Sequence, residues 1–130
     1  MVKYSVIGTS WITKSFIDGA NLYEDLSLDG VYSRSFEKGS VFAEETGAKR
    51  VFTDFNDLVS SDTDLVYVAS PNGCHYEQCK ELLLNGKHVI CEKPITITVE
   101  EFNELCRIAN EKKLVYFEAI MYMHTPLRQV

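Results

Sequence analysis

Short apolar runs alternate along this chain with longer stretches in which apolar residues recur every three or four positions. Val2-Lys3-Tyr4-Ser5-Val6-Ile7 opens as a strand, and a turn at Gly8 to Ser10 leads into a helix from Trp11 to Ala20. Leu26 to Tyr32 reads as a second strand interrupted by Asp29-Gly30. Phe36 to Thr46 has helical spacing, with Gly47 as its C-cap. Arg50 to Phe52 is a short third strand, and Phe55 to Val59 is little more than one helical turn. Asp64 to Ala69 is the clearest strand after the first, broken by Ser70-Pro71-Asn72-Gly73. A helix over residues 74–85 stops at Asn85-Gly86, and Val89 to Cys91 is the fifth strand. Thr98 opens a helix running through Asn110, with Glu101 three residues on as a capping box. Leu114 to Phe117 begins a sixth strand.

Regular strand–helix alternation with short connections predicts an α/β fold: a doubly wound parallel sheet of Rossmann type with helices on both faces. The expected strand order is 3-2-1-4-5-6, with a switch point between strands 1 and 4. Their carboxyl ends carry Gly8-Thr9-Ser10 and Ser70-Pro71-Asn72, so a ligand crevice is expected there. The 130 residues fit one domain. The net charge is −6 and the cations are scattered, which disfavours a nucleic-acid partner. No apolar run reaches transmembrane length, so no membrane partner is expected. The chain enters its first strand without a signal peptide, and its four cysteines form neither a C-x-x-C pair nor a zinc motif. Reduced thiols in a cytoplasmic protein, with no metal, are the expectation.

Gly8-Thr9-Ser10-Trp11-Ile12-Thr13 sits where a G-x-G-x-x-G/A fingerprint would sit, with only the first glycine present. Ser10 can donate a hydroxyl or cap the helix, and the helix N-terminus offers N–H groups to a phosphate. A plain strand-turn-helix with an N-cap serine explains the stretch as well. Ser33-Arg34-Ser35 follows strand 2, where an NAD site usually has an acid for the ribose hydroxyl. An Arg with small hydroxyls, and Lys38 one turn on, suits a 2′-phosphate; a solvated helix start is the alternative. Ser70-Pro71-Asn72 forms a rigid turn in which Asn72 can cap the next helix. His75 falls in that helix's first turn, structural or facing the crevice.

The apolar run His88 to Cys91 ends in Glu92-Lys93-Pro94. Pro94 forces a turn. Lys93 is thereby placed beyond a strand's carboxyl end, where burial would lower its pKa and suit it to proton transfer. A solvent-facing lysine in a turn is the alternative, and Glu92 could pair with it or cap a nearby helix.

These segments, with Gly86-Lys87-His88-Val89-Ile90-Cys91-Glu92-Lys93-Pro94 and Glu118-Ala119-Ile120-Met121-Tyr122, resemble the Gfo/Idh/MocA oxidoreductases. The closing stretch looks like the dihydrodiol-dehydrogenase branch. The resemblance implies an NAD(P)-dependent dehydrogenase that passes a hydride between nicotinamide and a sugar, polyol or related hydroxy compound. NADP is favoured over NAD by Arg34 and the absent acid. It implies that Gly8 to Ile12, Ser70 to Asn72 with His75, and Glu92 to Pro94 line the cofactor site. It implies that Arg34, flanked by Ser33, Ser35 and Lys38, contacts the 2′-phosphate, and that Lys93 is the catalytic proton-transfer residue. Family members continue into a second domain that completes the substrate cleft. Residues 1–130 are therefore expected to be the dinucleotide-binding domain alone, with little turnover, and Thr125-Pro126 the crossing towards the substrate domain. Baring Ile120, Met121, Tyr122 and Met123 would favour self-association into a homo-oligomer. The alternative is a nucleotide-sensing regulatory module without turnover, against which Lys93 argues.

Overall fold

The computed structural model describes residues 1–93 and 98–119. Pro94, and the stretch from Ile120 through Met123 and Thr125-Pro126 to Val130, lie outside the described residues. Six parallel strands form one sheet in the order β3-β2-β1-β4-β5-β6. They are β1 (Val2–Ile7), β2 (Leu26–Tyr32), β3 (Arg50–Phe52), β4 (Leu65–Val68), β5 (His88–Glu92) and β6 (Tyr116–Ala119). The helices are α1 (Trp11–Ala20), α2 (Phe36–Thr46), α3 (Phe55–Val59), α4 (His75–Leu84) and α5 (Val99–Lys112). The expected fold and strand order are both found.

The strands read as nearly continuous apolar runs because successive side chains enter two different cores. Tyr4, Val6 and Tyr67 pack with Ile17 and Ala20 of α1 and Phe42 and Ala43 of α2. Ile7, Val66, Val68, Val89 and Cys91 pack on the other face with Leu58, Leu82, Leu83, Leu105 and Ile108 from α3, α4 and α5. That division follows from the right-handed crossovers: the chain winds one way from β1 to β3 and the other way from β4 to β6.

Local chemistry sets most helix ends. The Ser35 hydroxyl accepts the Lys38 amide at 3.2 Å, the Asp54 carboxylate accepts the Asn56 amide at 2.9 Å, and the Thr98 hydroxyl accepts the Glu101 amide at 3.1 Å. Gly47 closes α2 at φ +84°. Several boundaries shift by a residue or two, and two of these shifts have a local cause. The fourth helix starts at His75 after a 3₁₀ turn, Asn72–Cys74, so the Asn72 side chain caps nothing. The sixth strand starts at Tyr116, because Lys113 (φ +58°) and the Leu114 amide, bonded to the Ala109 carbonyl, are used to end α5.

Asp29-Gly30 does not break the second strand. It is a bulge: Tyr4 pairs with Leu28 and Ser5 with Gly30, leaving Asp29 as the extra residue. Asp29 is buried, accepts from the Thr63 hydroxyl at 3.0 Å, and is ion-paired to Arg50. Arg50 also bonds Asp62 at 2.8 Å, and Asp62 bonds the Lys3 ammonium at 2.7 Å. This chain of charges ties β1, β2, β3 and the approach to β4 together.

Candidate functional site

Three turns meet at the carboxyl ends of β1, β2 and β4 and enclose a cleft of about 550 Å³. It lies at the switch point between β1 and β4, where neighbouring strands lead away in opposite directions. Gly8, Thr9 and Ser10 come from the first turn, Ser33, Arg34 and Ser35 from the second, with Lys38 from the start of α2, and Ser70 and Pro71 from the third. Ile7, Tyr32, Ala69, Cys74 and Gln78 complete the lining and were not anticipated. No carboxylate lines the cleft among the described residues.

Gly8 sits at φ +107°, and a Cβ there would lie 2.8 Å from the Ala69 carbonyl oxygen. The Gly8 amide donates to Tyr32 O (3.3 Å), and the Ala69 amide to Ile7 O (3.0 Å), so the turn is tied to both flanking strands. Ser10 occupies the N-cap of α1, but its hydroxyl makes no cap hydrogen bond. The first-turn amides of α1 have no intrahelical acceptor, and the turn carries no acidic residue, so it faces the cleft as a positive helix end. Thr13 is fully buried beneath Gly8, and its hydroxyl has no hydrogen-bond partner.

The second turn is built from hydroxyls. Ser33 Oγ accepts the Ser35 amide (3.2 Å), and Ser35 Oγ accepts the Lys38 amide. Each hydroxyl has thus accepted from the backbone and keeps its proton to donate. Gly39 makes this packing possible: a Cβ there would be 2.8 Å from Val51 Cγ1 and 3.2 Å from Ser33 Cβ. Arg34 and Lys38 stand exposed at the rim.

The third turn is held from behind. His75 is buried and its Nε2–H donates to Ser70 O at 2.8 Å, which fixes that tautomer because a carbonyl only accepts. Ser70 Oγ–H donates to Gln78 Oε1 at 2.5 Å. His75 therefore anchors the turn and does not line the cleft; neither does Asn72.

The end of β5 departs from expectation. Lys93 is exposed at the bend, not buried, because the strand continues through half-buried Glu92 before the chain turns. Glu92 neither pairs with Lys93 nor caps a helix; it accepts a hydrogen bond from the Tyr67 hydroxyl. Burial, and then that bond, push the Tyr67 phenol well above its usual range. With Ile12, Phe16 and Ala119, both line a separate pocket of about 200 Å³. Trp11 lines neither pocket and is 74% exposed.

Residues 2–120 match the model of an oxidoreductase family with an NAD-binding Rossmann fold, GFO_IDH_MocA. The chain is 39% identical over 127 residues to scyllo-inositol 2-dehydrogenase (NADP(+)) IolU of Bacillus subtilis, covering 97% of this chain and 39% of that protein. It is 34% identical over 116 residues to 1,5-anhydro-D-fructose reductase of Ensifer adhaerens, covering 88% of this chain and 35% of that one. Among solved structures, KijD10, a 3-ketoreductase of Actinomadura kijaniata in complex with NADP and TDP-benzene, superposes with a TM-score of 0.92 at 28% identity. That match covers 98% of this chain and 40% of KijD10. The chain thus spans about two fifths of these relatives' length. They do not single out the dihydrodiol branch.

Proposed function

The chain belongs to the Gfo/Idh/MocA oxidoreductases, as an NAD-binding Rossmann domain, and we propose that it is the cofactor-binding half of an NADP-preferring dehydrogenase. The observation that carries the preference is the composition of the cleft: two cations and proton-donating hydroxyls at the end of β2, and no carboxylate among the described lining. An acid there would accept from a ribose 2′-hydroxyl, whereas Arg34, Lys38, Ser33 and Ser35 donate, as a 2′-phosphate requires.

The residues present fit such a cofactor. Gly8 leaves clear the space a Cβ would fill, and the α1 amides supply donors for a pyrophosphate. Ser70 and Pro71, anchored by His75 and Gln78, form the wall on the β4 side. When bound, the cofactor supplies hydride chemistry at its nicotinamide. Lys93 holds or takes the substrate's hydroxyl proton, from the end of the neighbouring strand.

The reading extends to the longer enzyme: a substrate domain beyond these residues, and a sugar or polyol substrate, in line with the inositol and anhydro-sugar names of the relatives. A cytoplasmic setting accords with four unbridged cysteines. Self-association accords with the exposed Val115 and Phe117 on or beside edge strand β6.

Calorimetric titration tests the preference. NADPH is expected to bind at least about tenfold more tightly than NADH, and Arg34→Ala is expected to remove most of that difference while leaving NADH unchanged. Equal affinities in the parent chain would defeat the NADP assignment, and no binding of either would defeat the cofactor site. In the longer enzyme, unchanged turnover in Lys93→Ala would remove Lys93 from the mechanism.

A further inference from the structure

Strands β4 and β5 pair with Tyr67 opposite Ile90, which puts Glu92 two residues further along the same face. Tyr67 is 1% exposed, and its ring stacks on Phe16 with centroids 4.0 Å apart and planes 7° from parallel. Phe16 in turn meets Tyr4 edge-on at 5.9 Å. The Tyr67 ring is thus clamped between the sheet and α1, with its hydroxyl aimed at Glu92 Oε1. Burial keeps that phenol protonated, so it acts only as donor to the carboxylate.

Sheet order gives the carboxylate its direction. A cofactor whose 2′ end lies at β2 and whose pyrophosphate lies at β1 reaches β4 and β5 with its nicotinamide end. Glu92 stands there, sharing a pocket with Ile12 from the first turn of α1. One of its oxygens is engaged by Tyr67.

We propose that Tyr67 is a positioning residue: it fixes the Glu92 carboxylate so that the second oxygen accepts from the hydrogen-bond donors at the nicotinamide end of the cofactor. This rests on the dehydrogenase reading and adds a specific second layer to it. Phe16 belongs to the device, because the stacking holds the phenol ring in line.

The test uses Tyr67→Phe, Glu92→Ala and the double variant, titrated with NADPH and with 2′,5′-ADP, which lacks the nicotinamide end. Tyr67→Phe is expected to weaken NADPH about five- to tenfold and to leave 2′,5′-ADP unchanged. The double variant is expected to bind NADPH no more weakly than Glu92→Ala. A loss that strikes both ligands equally, an unchanged NADPH affinity, or effects that multiply in the double variant would each overturn the proposal. A thermal-unfolding cycle on the same variants needs no cofactor: the two substitutions should be coupled, and independent losses would also overturn it. Were the parent chain to bind neither NADPH nor NADH, the dehydrogenase reading would fall. The unfolding cycle would then decide by itself whether Tyr67 holds Glu92.

Discussion

Gly8→Ala should be the most damaging single-carbon change in the cleft. Two costs combine at that position. The φ of +107° is one an L-residue rarely adopts, which costs about 1–3 kcal/mol. The new Cβ would also lie 2.8 Å from Ala69 O and 3.3 Å from Ala69 C, and both are backbone atoms. Neither can swing aside, because the Ala69 amide is bonded to Ile7 O and Gly8 itself to Tyr32 O. Relieving the overlap must part β1 from β4 at the switch point, at about another 1–3 kcal/mol. The sum is about 2–6 kcal/mol. With a urea slope of about 2 kcal/mol/M, the unfolding midpoint should fall by about 1–3 M. Gly47→Ala is the matched control: its φ is +84°, but nothing lies within 4 Å of the added carbon. It should cost only about 1 kcal/mol. Circular dichroism in urea reads both. A Gly8→Ala midpoint no lower than that of Gly47→Ala would refute the claim that backbone contact, rather than φ alone, demands glycine at position 8.

Two further predictions concern the charge chain at the other end of the sheet. Arg50→Met should cost about 2 kcal/mol by urea unfolding, because it strips buried Asp29 of its ion partner. The figure sits below that for a fully buried pair because the Arg50 side chain is 41% exposed. Asp29→Asn in the same chain should recover part of the loss, and a neutral Arg50→Met would dismiss the pair as structural. The second prediction is a pH dependence. Hydrogen bonds from Lys3 and then Arg50 hold the Asp62 carboxyl down to about 2 from its ordinary 3.8. A carboxyl depressed in the folded state stabilises above its unfolded pKa, and that contribution is lost as pH falls from 3.8 through about 2. Melting temperature should therefore drop more steeply over that window in the parent chain than in Asp62→Asn, and less steeply in 1 M salt. Parallel curves for the two chains would contradict this.

The elements were legible because their signals are local. Strands buried on both faces read as unbroken apolar runs, and Ser35, Asp54, Thr98 and Gly47 act within a few residues of the ends they set. The three turns of the cleft were legible too, since strand order alone brings their sequences to one end of the sheet. What escaped depends on contacts between distant segments. Gly39 carries no signal of its own in the sequence, but it is the clearance for Val51 and Ser33. Gln78 gained its role only because Ser70 folds back over α4. Tyr67 and Glu92 become neighbours only once the β4–β5 register is fixed, and a shift of one residue would send them to opposite faces. The burial expected for Lys93 failed for a similar reason: the strand carries one residue beyond its apolar run, so the bend falls at Lys93 itself.

The glycine fingerprint shows most directly what counting letters misses. Only one of its three glycines is present, which reads as erosion of a phosphate-binding turn. The three positions make different physical demands. At position 8 a Cβ would meet backbone, and glycine is there. Ser10 is exposed at the helix N-cap, so a small side chain is accommodated. Thr13 is fully buried where the third glycine would let helix and strand approach, with its hydroxyl oxygen 3.4 Å from where a Gly8 Cβ would lie, and Ile17 one turn on packs with Tyr4 and Val6. The larger residue is thus taken up inside the fold. Its unpartnered hydroxyl is the residual cost, one buried polar group without a hydrogen bond. A turn that keeps glycine where backbone crowds it, and relaxes it where side chains fit, still offers a phosphate the clear space at position 8 and the free amides of α1. The fingerprint is better read from the clearance at each Cβ than from the number of glycines.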